Sequence, residues 1–212
     1  MIAIVAGATG LVGKELLKLL LEDPTFTKVV IYVRRDPGIE SPKLLVVLGE
    51  LGEMNNHRDE LKGDVYFSCL GTTIKTAGSQ ENFRKVDFHA VVSFGRLAFS
   101  HKAKKVIVVS ASGAHSQSRI FYNRVKGEAE KALKDLRLQS LVIFRPGLLI
   151  GDRAEKRTGE KIGIETFRLL RHVLPVKTTK SIGTEVSVLA AHMIDEAKSD
   201  KTGVQIVEAR VI

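Results

Sequence analysis

The chain holds one cysteine, Cys69, and no tryptophan among its 212 residues. A lone thiol cannot close an internal disulfide, so a stapled secreted scaffold is excluded and a reducing cytoplasm is the expected location. Histidines at 57, 89, 101, 115, 172 and 192 lack the spacing of a ligand set, and metal chemistry is not indicated. Long apolar runs are also missing. Residues 1–6 are apolar, but glycines at 7, 10 and 13 interrupt them well before the roughly 20 residues a membrane span requires. No basic segment precedes them, so neither a leader nor a span is expected. Acidic residues are too few to balance the basic ones, 24 against 33, which leaves a net charge of +9. Such a balance suits a polyanionic partner. Aromatics make up only 6% of the chain and form no stacking pattern or recognised module, which argues against nucleic acid.

Hydrophobic residues account for 44% of the sequence and charged residues for 27%, enough to bury a sizeable core. Short Val/Ile/Leu runs alternate with helical patterns along the whole chain. Strands are expected at 1–6, Lys28–Val33, Leu44–Leu48, 64–70, 106–110, 141–144 and 204–207, and helices at 14–22, 54–61 (weak), 83–101, 122–136, 162–174 and 186–197. Continuous rather than alternating apolar strands mean a parallel sheet covered on both faces. The expected fold is α/β, a doubly wound parallel Rossmann sheet in one domain spanning 1–212, with 151–212 supplying a small C-terminal substrate cap and the last strand. The mixed-sign segment 152–161 reads as a solvated loop or as a lid. The apolar face of 162–174 either packs on the domain or makes a homodimer.

Between the first strand and the first helix stands Gly7-Ala8-Thr9-Gly10-Leu11-Val12-Gly13. Glycines on this spacing, in this strand–helix context, let a pyrophosphate approach backbone amides at the positive end of a helix. Gly7, Thr9, Gly10, Leu11, Val12 and Gly13 are therefore the candidate phosphate-binding residues. The end of the second strand decides the nucleotide, because an acid there holds a ribose hydroxyl and an arginine holds a 2′-phosphate. Arg34 and Arg35 occupy that place, and a guanidinium fork matches phosphate, so NADP is favoured over NAD. Asp36, one position on, keeps NAD as the alternative.

Tyr122 and Lys126 lie four residues apart in an expected helix, hence on one face. A neighbouring ammonium stabilises a phenolate, which makes tyrosine usable for proton transfer near neutral pH. Ser110 and Ser112 follow a strand at the edge where open α/β sheets place their ligands, and either hydroxyl could hold a substrate carbonyl against the tyrosine. Cys69, at a strand end, reads as a buried and inert thiol.

Together these motifs resemble the short-chain dehydrogenase/reductase superfamily. Within it the chain is similar to the atypical group of Tat-interacting-protein-type oxidoreductases and their bacterial relatives. The closer likeness rests on Cys69-Leu70-Gly71-Thr72-Thr73 with Lys75, Ala77-Gly78-Ser79, Val86-Asp87-Phe88, Val109-Ser110-Ala111-Ser112-Gly113-Ala114, Tyr122 to Lys126 with Gly127-Glu128, and Phe144-Arg145-Pro146-Gly147. The resemblance implies that Tyr122 is the acid/base and that Lys126 tunes it and holds the nicotinamide ribose. It also implies that Ser110, or Ser112 one turn on, orients the substrate, that Leu70 and Gly71 line the adenosine side, and that Pro146 and Gly147 flank the nicotinamide. Asp87 departs from the pattern, standing about where many members carry an asparagine. The short stretch after Gly151 points to a small-molecule substrate rather than a nucleotide sugar. The leading expectation is an NADP-dependent oxidoreductase. The alternative is an NADPH-binding sensor that performs no chemistry and acts through a regulatory protein partner, since members of this group are associated with regulatory binding.

Overall fold

The computed structural model describes residues 1–151 and 183–212. Seven strands form one parallel sheet. They are β1 (Ile2–Ala6), β2 (Lys28–Val33), β3 (Leu44–Leu48), β4 (Val65–Ser68), β5 (Lys105–Val109), β6 (Ser140–Arg145) and β9 (Gly203–Glu208). Their order across the sheet is β3-β2-β1-β4-β5-β6-β9. The strand order reverses at β1, with β2 on one side and β4 on the other, and this is the switch point where doubly wound sheets bind ligands. Central strands β1 and β5 are buried almost throughout, which explains why their sequences do not alternate with polar residues.

Consecutive residues of β1 face opposite layers. Ala3 and Val5 join Leu16, Leu17 and Leu20 of α1 (Leu11–Glu22), while Ile4 and Ala6 join the other face, where Phe94 and Leu97 pack. On the second face α4 (Val91–Ser100) lies beside α5 (Phe121–Asp135), whose Ala129 and Leu133 are buried in the same cluster. On the first, α6 (Val186–Lys198) packs alongside α1 through Leu189, Ala190 and Met193. The buried Lys105 ammonium donates to the carbonyls of Glu196 and Ser199 and to Ser199 Oγ, at 2.6, 2.6 and 2.9 Å. It thereby caps the C-terminal end of α6 and fixes it to β5.

Three expectations change in the structure. The weak helix at 54–61 is instead a 3₁₀ segment over Leu51–His57, started by a reciprocal Glu50–Glu53 capping box. The helix expected at 83–101 begins earlier, as α3 (Gln80–Arg84) capped by the Ser79 hydroxyl, and passes through a π-helical turn at Lys85–Ala90 into α4. A short helix, α2 (Ile74–Ala77), precedes it. A second, two-stranded sheet of β7 (Leu148–Ile150) and β8 (Gly183–Glu185) was not foreseen, because three-residue strands carry no readable period. The loop or lid at 152–161 and the helix at 162–174 lie outside the described residues. No described helix is long and apolar enough to cross a membrane.

The α1–α6 packing ends in an ion pair, Lys198 Nζ to Asp23 Oδ2 at 2.8 Å. Hydrogen bonds from Lys198 and from Thr25 hold the Asp23 carboxyl down at about 2, below its ordinary 3.8. A depressed acid contributes stability above its unfolded value and loses it as pH falls through the folded one. Wild type should therefore exceed Asp23→Asn in urea melts at pH 7 by no more than about 1 kcal/mol, the pair being screened by solvent. The gap should close between pH 4 and pH 2. A gap unchanged at pH 2 would contradict the assignment.

Candidate functional site

All the candidate residues emerge at one edge of the sheet, because parallel strands end together. After β1 the chain turns at Gly7, whose φ of +83° suits only glycine. A Cβ there would stand 2.6 Å from the Cys69 carbonyl carbon, and one on Gly13 would stand 2.1 Å from the Gly7 carbonyl oxygen. The turn is thus pressed against both β4 and its own helix. Thr9 and Gly10 are exposed at its tip, and Leu11, Val12 and Gly13 form the first turn of α1. No side chain caps that helix and no acid lies in its first turn, so its amides are directed to an outside acceptor. This cradle fits a dinucleotide pyrophosphate.

Beside it, at the end of β2, Arg34 and Arg35 are exposed, and neither is paired with a described carboxylate. Asp36 Oδ1 accepts from the Gly38 amide at 2.8 Å and closes its own turn.

The next strand end, β4, leads into buried Leu70 and then Gly71. A Cβ on Gly71 would lie 3.4 Å from Asp87 Oδ1 and 3.5 Å from Lys126 Nζ, so this backbone runs directly over the two charged groups. Asp87 Oδ1 and Lys126 Nζ are 2.7 Å apart, with side chains 0% and 7% exposed. The other carboxylate oxygen of Asp87 accepts from the Thr72 amide at 2.9 Å. Asp87 belongs to the π turn, a helical irregularity that often marks a functional position. Burial is the largest influence on both groups. It lifts the Asp87 carboxyl above the usual carboxylate range, against the pull of Lys126 and the Thr72 amide. Burial alone would lower Lys126, yet Asp87, with Tyr122 and Glu130, raises it above the ordinary lysine value.

Helix α5 forms because Val125, Ala129 and Leu133 repeat at helical spacing and bury against the domain. Tyr122 stands in its first turn, partly exposed, one turn before Lys126, as the spacing requires. Its ring packs on buried Phe83, with centroids 5.5 Å apart, and its hydroxyl bonds to no described residue. Phe83 and Asp87 are themselves four residues apart. The two helices therefore meet as two rungs, Phe83 on Tyr122 and Asp87 on Lys126.

The serines part company. Ser110 is buried and its hydroxyl donates to Glu130 Oε1 at 2.6 Å. Arg145 holds the same carboxylate through Nε and Nη2, at 3.0 and 2.6 Å, and reaches Glu208 on β9 at 2.9 Å. Ser112 is exposed, and its amide donates to the Pro146 carbonyl at 2.9 Å. Gly147 N–H donates to the buried Thr184 hydroxyl of β8 at 3.2 Å, which fastens the end of β6 to the small sheet. Between the Asp87–Lys126 pair and the Ser110–Glu130 pair lies a void of about 10 Å³, the size of one water, whose lining is mostly apolar. Sequence reasoning missed Glu130. The available signal was an acid two turns beyond Tyr122 on the same helix face, with Arg145 at a neighbouring strand end. Cys69 is raised by burial to about 12, which leaves an inert thiol.

Comparison with known proteins bears on the fold and the family. Residues 2–95, which carry the glycine turn, match the model for the semialdehyde dehydrogenase NAD-binding domain. Over 98% of this chain and 75% of its own, the protein MoeE5, solved in complex with UDP-glucose and NAD, superposes with a TM-score of 0.74 at 18% identity. The sheet is thus a Rossmann-like α/β fold, the fold of that NAD complex. Among sequences, protein FMP52-1 of Scheffersomyces stipitis is 31% identical over 99% of this chain and 96% of its own. HTATIP2 of Rattus norvegicus is 35% identical over 77% and 69%. FMP52 proteins from several fungi are named mitochondrial, and this overturns the cytoplasmic location expected from the single cysteine, since one reduced thiol fits more than one compartment. Residues 61–179, which include Asp87, Ser110, Tyr122, Lys126 and Glu130, match the HIM1 family model, and the chain belongs to the HIM1 family, with FMP52 and HTATIP2 as its relatives.

Proposed function

We propose that the chain is an NADP-dependent oxidoreductase acting on a small carbonyl or alcohol, with Tyr122 as acid/base. The observation that carries this reading is the buried Lys126 ammonium one helical turn behind Tyr122, beneath the Gly71 backbone and beside the glycine cradle. When bound, the nicotinamide supplies or accepts the hydride. Tyr122 donates its phenolic proton to the carbonyl oxygen in reduction and removes it in oxidation, and the Lys126 cation stabilises the phenolate left behind. Ser110 gives its hydroxyl to Glu130, so the exposed Ser112 is the hydroxyl free to orient the substrate oxygen. Pro146 and Gly147 form the wall at the end of β6, and Leu70 and Gly71 the wall at the end of β4. Arg34 and Arg35 are the groups for a 2′-phosphate, since both are exposed at the end of β2 while one oxygen of Asp36 is engaged by the Gly38 amide.

The diversion of Ser110 also favours a second reading, an NADPH sensor that binds the nucleotide without turnover and acts on a protein partner. Thermal-shift titrations with NADPH and NADH, followed by turnover on aldehydes and quinones, separate the two. Arg34→Ala and Arg35→Ala should each weaken NADPH tenfold to about a hundredfold, the worth of a charge-assisted hydrogen bond, and leave NADH unchanged. Equal loss of both nucleotides would remove the NADP assignment. Binding without turnover on any carbonyl would favour the sensor, and no binding would end both readings.

A further inference from the structure

We propose that Asp87 is a positioning residue of the nucleotide site, joining the loop after β4 to Lys126 and supplying the counter-charge that keeps this buried ammonium directed at the nucleotide. The inference rests on the nucleotide-binding reading above and goes beyond it in assigning a role to a residue outside the Ser–Tyr–Lys set. Its support is geometric. One carboxylate oxygen faces Lys126 Nζ at 2.7 Å, the other accepts from the Thr72 amide at 2.9 Å, and the side chain has no exposed surface. Gly71 crosses directly above the pair, with room for no more than a methyl contact. Asp87 therefore bridges two walls of one cleft, the backbone that leaves β4 and the cation on α5.

An unpartnered ammonium at this depth would shed its proton, because burial disfavours the charged form. A neutral lysine could neither hold a ribose hydroxyl by a charged bond nor stabilise a phenolate. Among the described residues the titratable groups acting on Lys126 are Asp87 from the π turn and Tyr122 and Glu130 from its own helix. Glu130 is engaged by Arg145 and stands 3.9 Å from Lys134, while the end of β5 presents only the hydroxyl of the following Ser110 and the loop after β4 only the Thr72 amide. Among the described residues, Asp87 is the carboxylate that no other cation shares. The π turn explains how it arrives there, since the wider turn redirects the helix between Phe83, which packs on Tyr122, and Val91, which returns to the core.

The test is the pH dependence of NADPH affinity, measured by fluorescence titration of the full chain from pH 7.5 to 10.5. Wild type should hold its affinity to about pH 10, near the ordinary lysine value. Asp87→Asn keeps an acceptor for the Thr72 amide but removes the charge. Its affinity should begin to fall about one pH unit earlier, reaching roughly a tenfold deficit by pH 10. Asp87→Glu should restore the wild-type profile, and a purely structural role would move the affinity without moving the profile. Superposed wild-type and Asn profiles would overturn the proposal. If Asp87→Asn does not fold, the wild-type curve decides alone, and an affinity midpoint below the ordinary lysine value would likewise overturn it. Absence of wild-type binding at every pH would remove the nucleotide site itself and this inference with it, so the two failures are told apart.

Discussion

Gly13→Ala should abolish measurable nucleotide binding and lower stability by about 2–3 kcal/mol, the cost of forcing a methyl into a packed site. The added Cβ would lie 2.1 Å from the Gly7 carbonyl oxygen and 2.8 Å from the Ala8 Cα, and both obstacles are backbone. No rotamer change relieves such a contact. Either α1 slides away from the turn, which pulls its first amides out of line with the pyrophosphate, or the turn itself opens, and Gly7 is already wedged against Cys69 and Leu70. The control is the neighbouring glycine. Gly10 has an ordinary φ of −76°, and its Cβ would meet only the Gly7 oxygen, at 3.3 Å, so Gly10→Ala should fold with stability within about 1 kcal/mol of wild type. Thermal melts with and without NADPH distinguish the two variants. A Gly13→Ala protein with unchanged melting and binding would show that the turn is not built as described.

That turn is also where the sequence was easiest to read. Its glycines sit between a β-branched strand and a leucine-rich helix, so local chemistry and global fold ask for the same thing. The same agreement made the parallel sheet and the Tyr122–Lys126 register legible, since continuous apolar strands between helices mark a covered sheet and a helix period fixes which side chains share a face. The π turn at Lys85–Ala90 was not legible, because one widened turn inside a long amphipathic pattern disturbs the period too little to see. Yet it brings Asp87 to Lys126. The bond from Ser110 to Glu130 was illegible for a different reason. A serine at a strand end looks available until its tertiary partner is known, and that partner, Glu130, follows it by 20 residues while Arg145 follows Glu130 by 15. Pairings of this kind depend on how α5 lies against β6, which no local pattern states. Compartment was the least legible property of all, because a cysteine count reports redox chemistry and says nothing of an address.

Glu130→Ala should be the most destabilising single substitution in the site, costing about 3–5 kcal/mol, as expected when one partner of a buried ion pair is removed. The Glu130 side chain is 3% exposed and accepts three hydrogen bonds, two from the Arg145 fork and one from Ser110. Truncation leaves a guanidinium only 19% exposed with Glu208 as its remaining partner, and leaves the Ser110 hydroxyl buried without an acceptor. Since domains of this size are stable by only about 5–15 kcal/mol, much of the Ala variant should unfold well below the wild-type melting temperature. Glu130→Gln separates charge from shape, because the amide still accepts from Ser110 and from one Arg145 N–H, and it should cost visibly less. The decisive variant is the double replacement of Glu130 and Arg145 by methionine. Removing both charges abolishes the unpaired-ion penalty, so the double variant should be more stable than Glu130→Met alone, with a coupling of about 1–3 kcal/mol in a urea-melt cycle. Simple additivity of the two single losses would mean that Glu130 and Arg145 act independently, and that the bond to Ser110, rather than the ion pair, fixes the floor of the site.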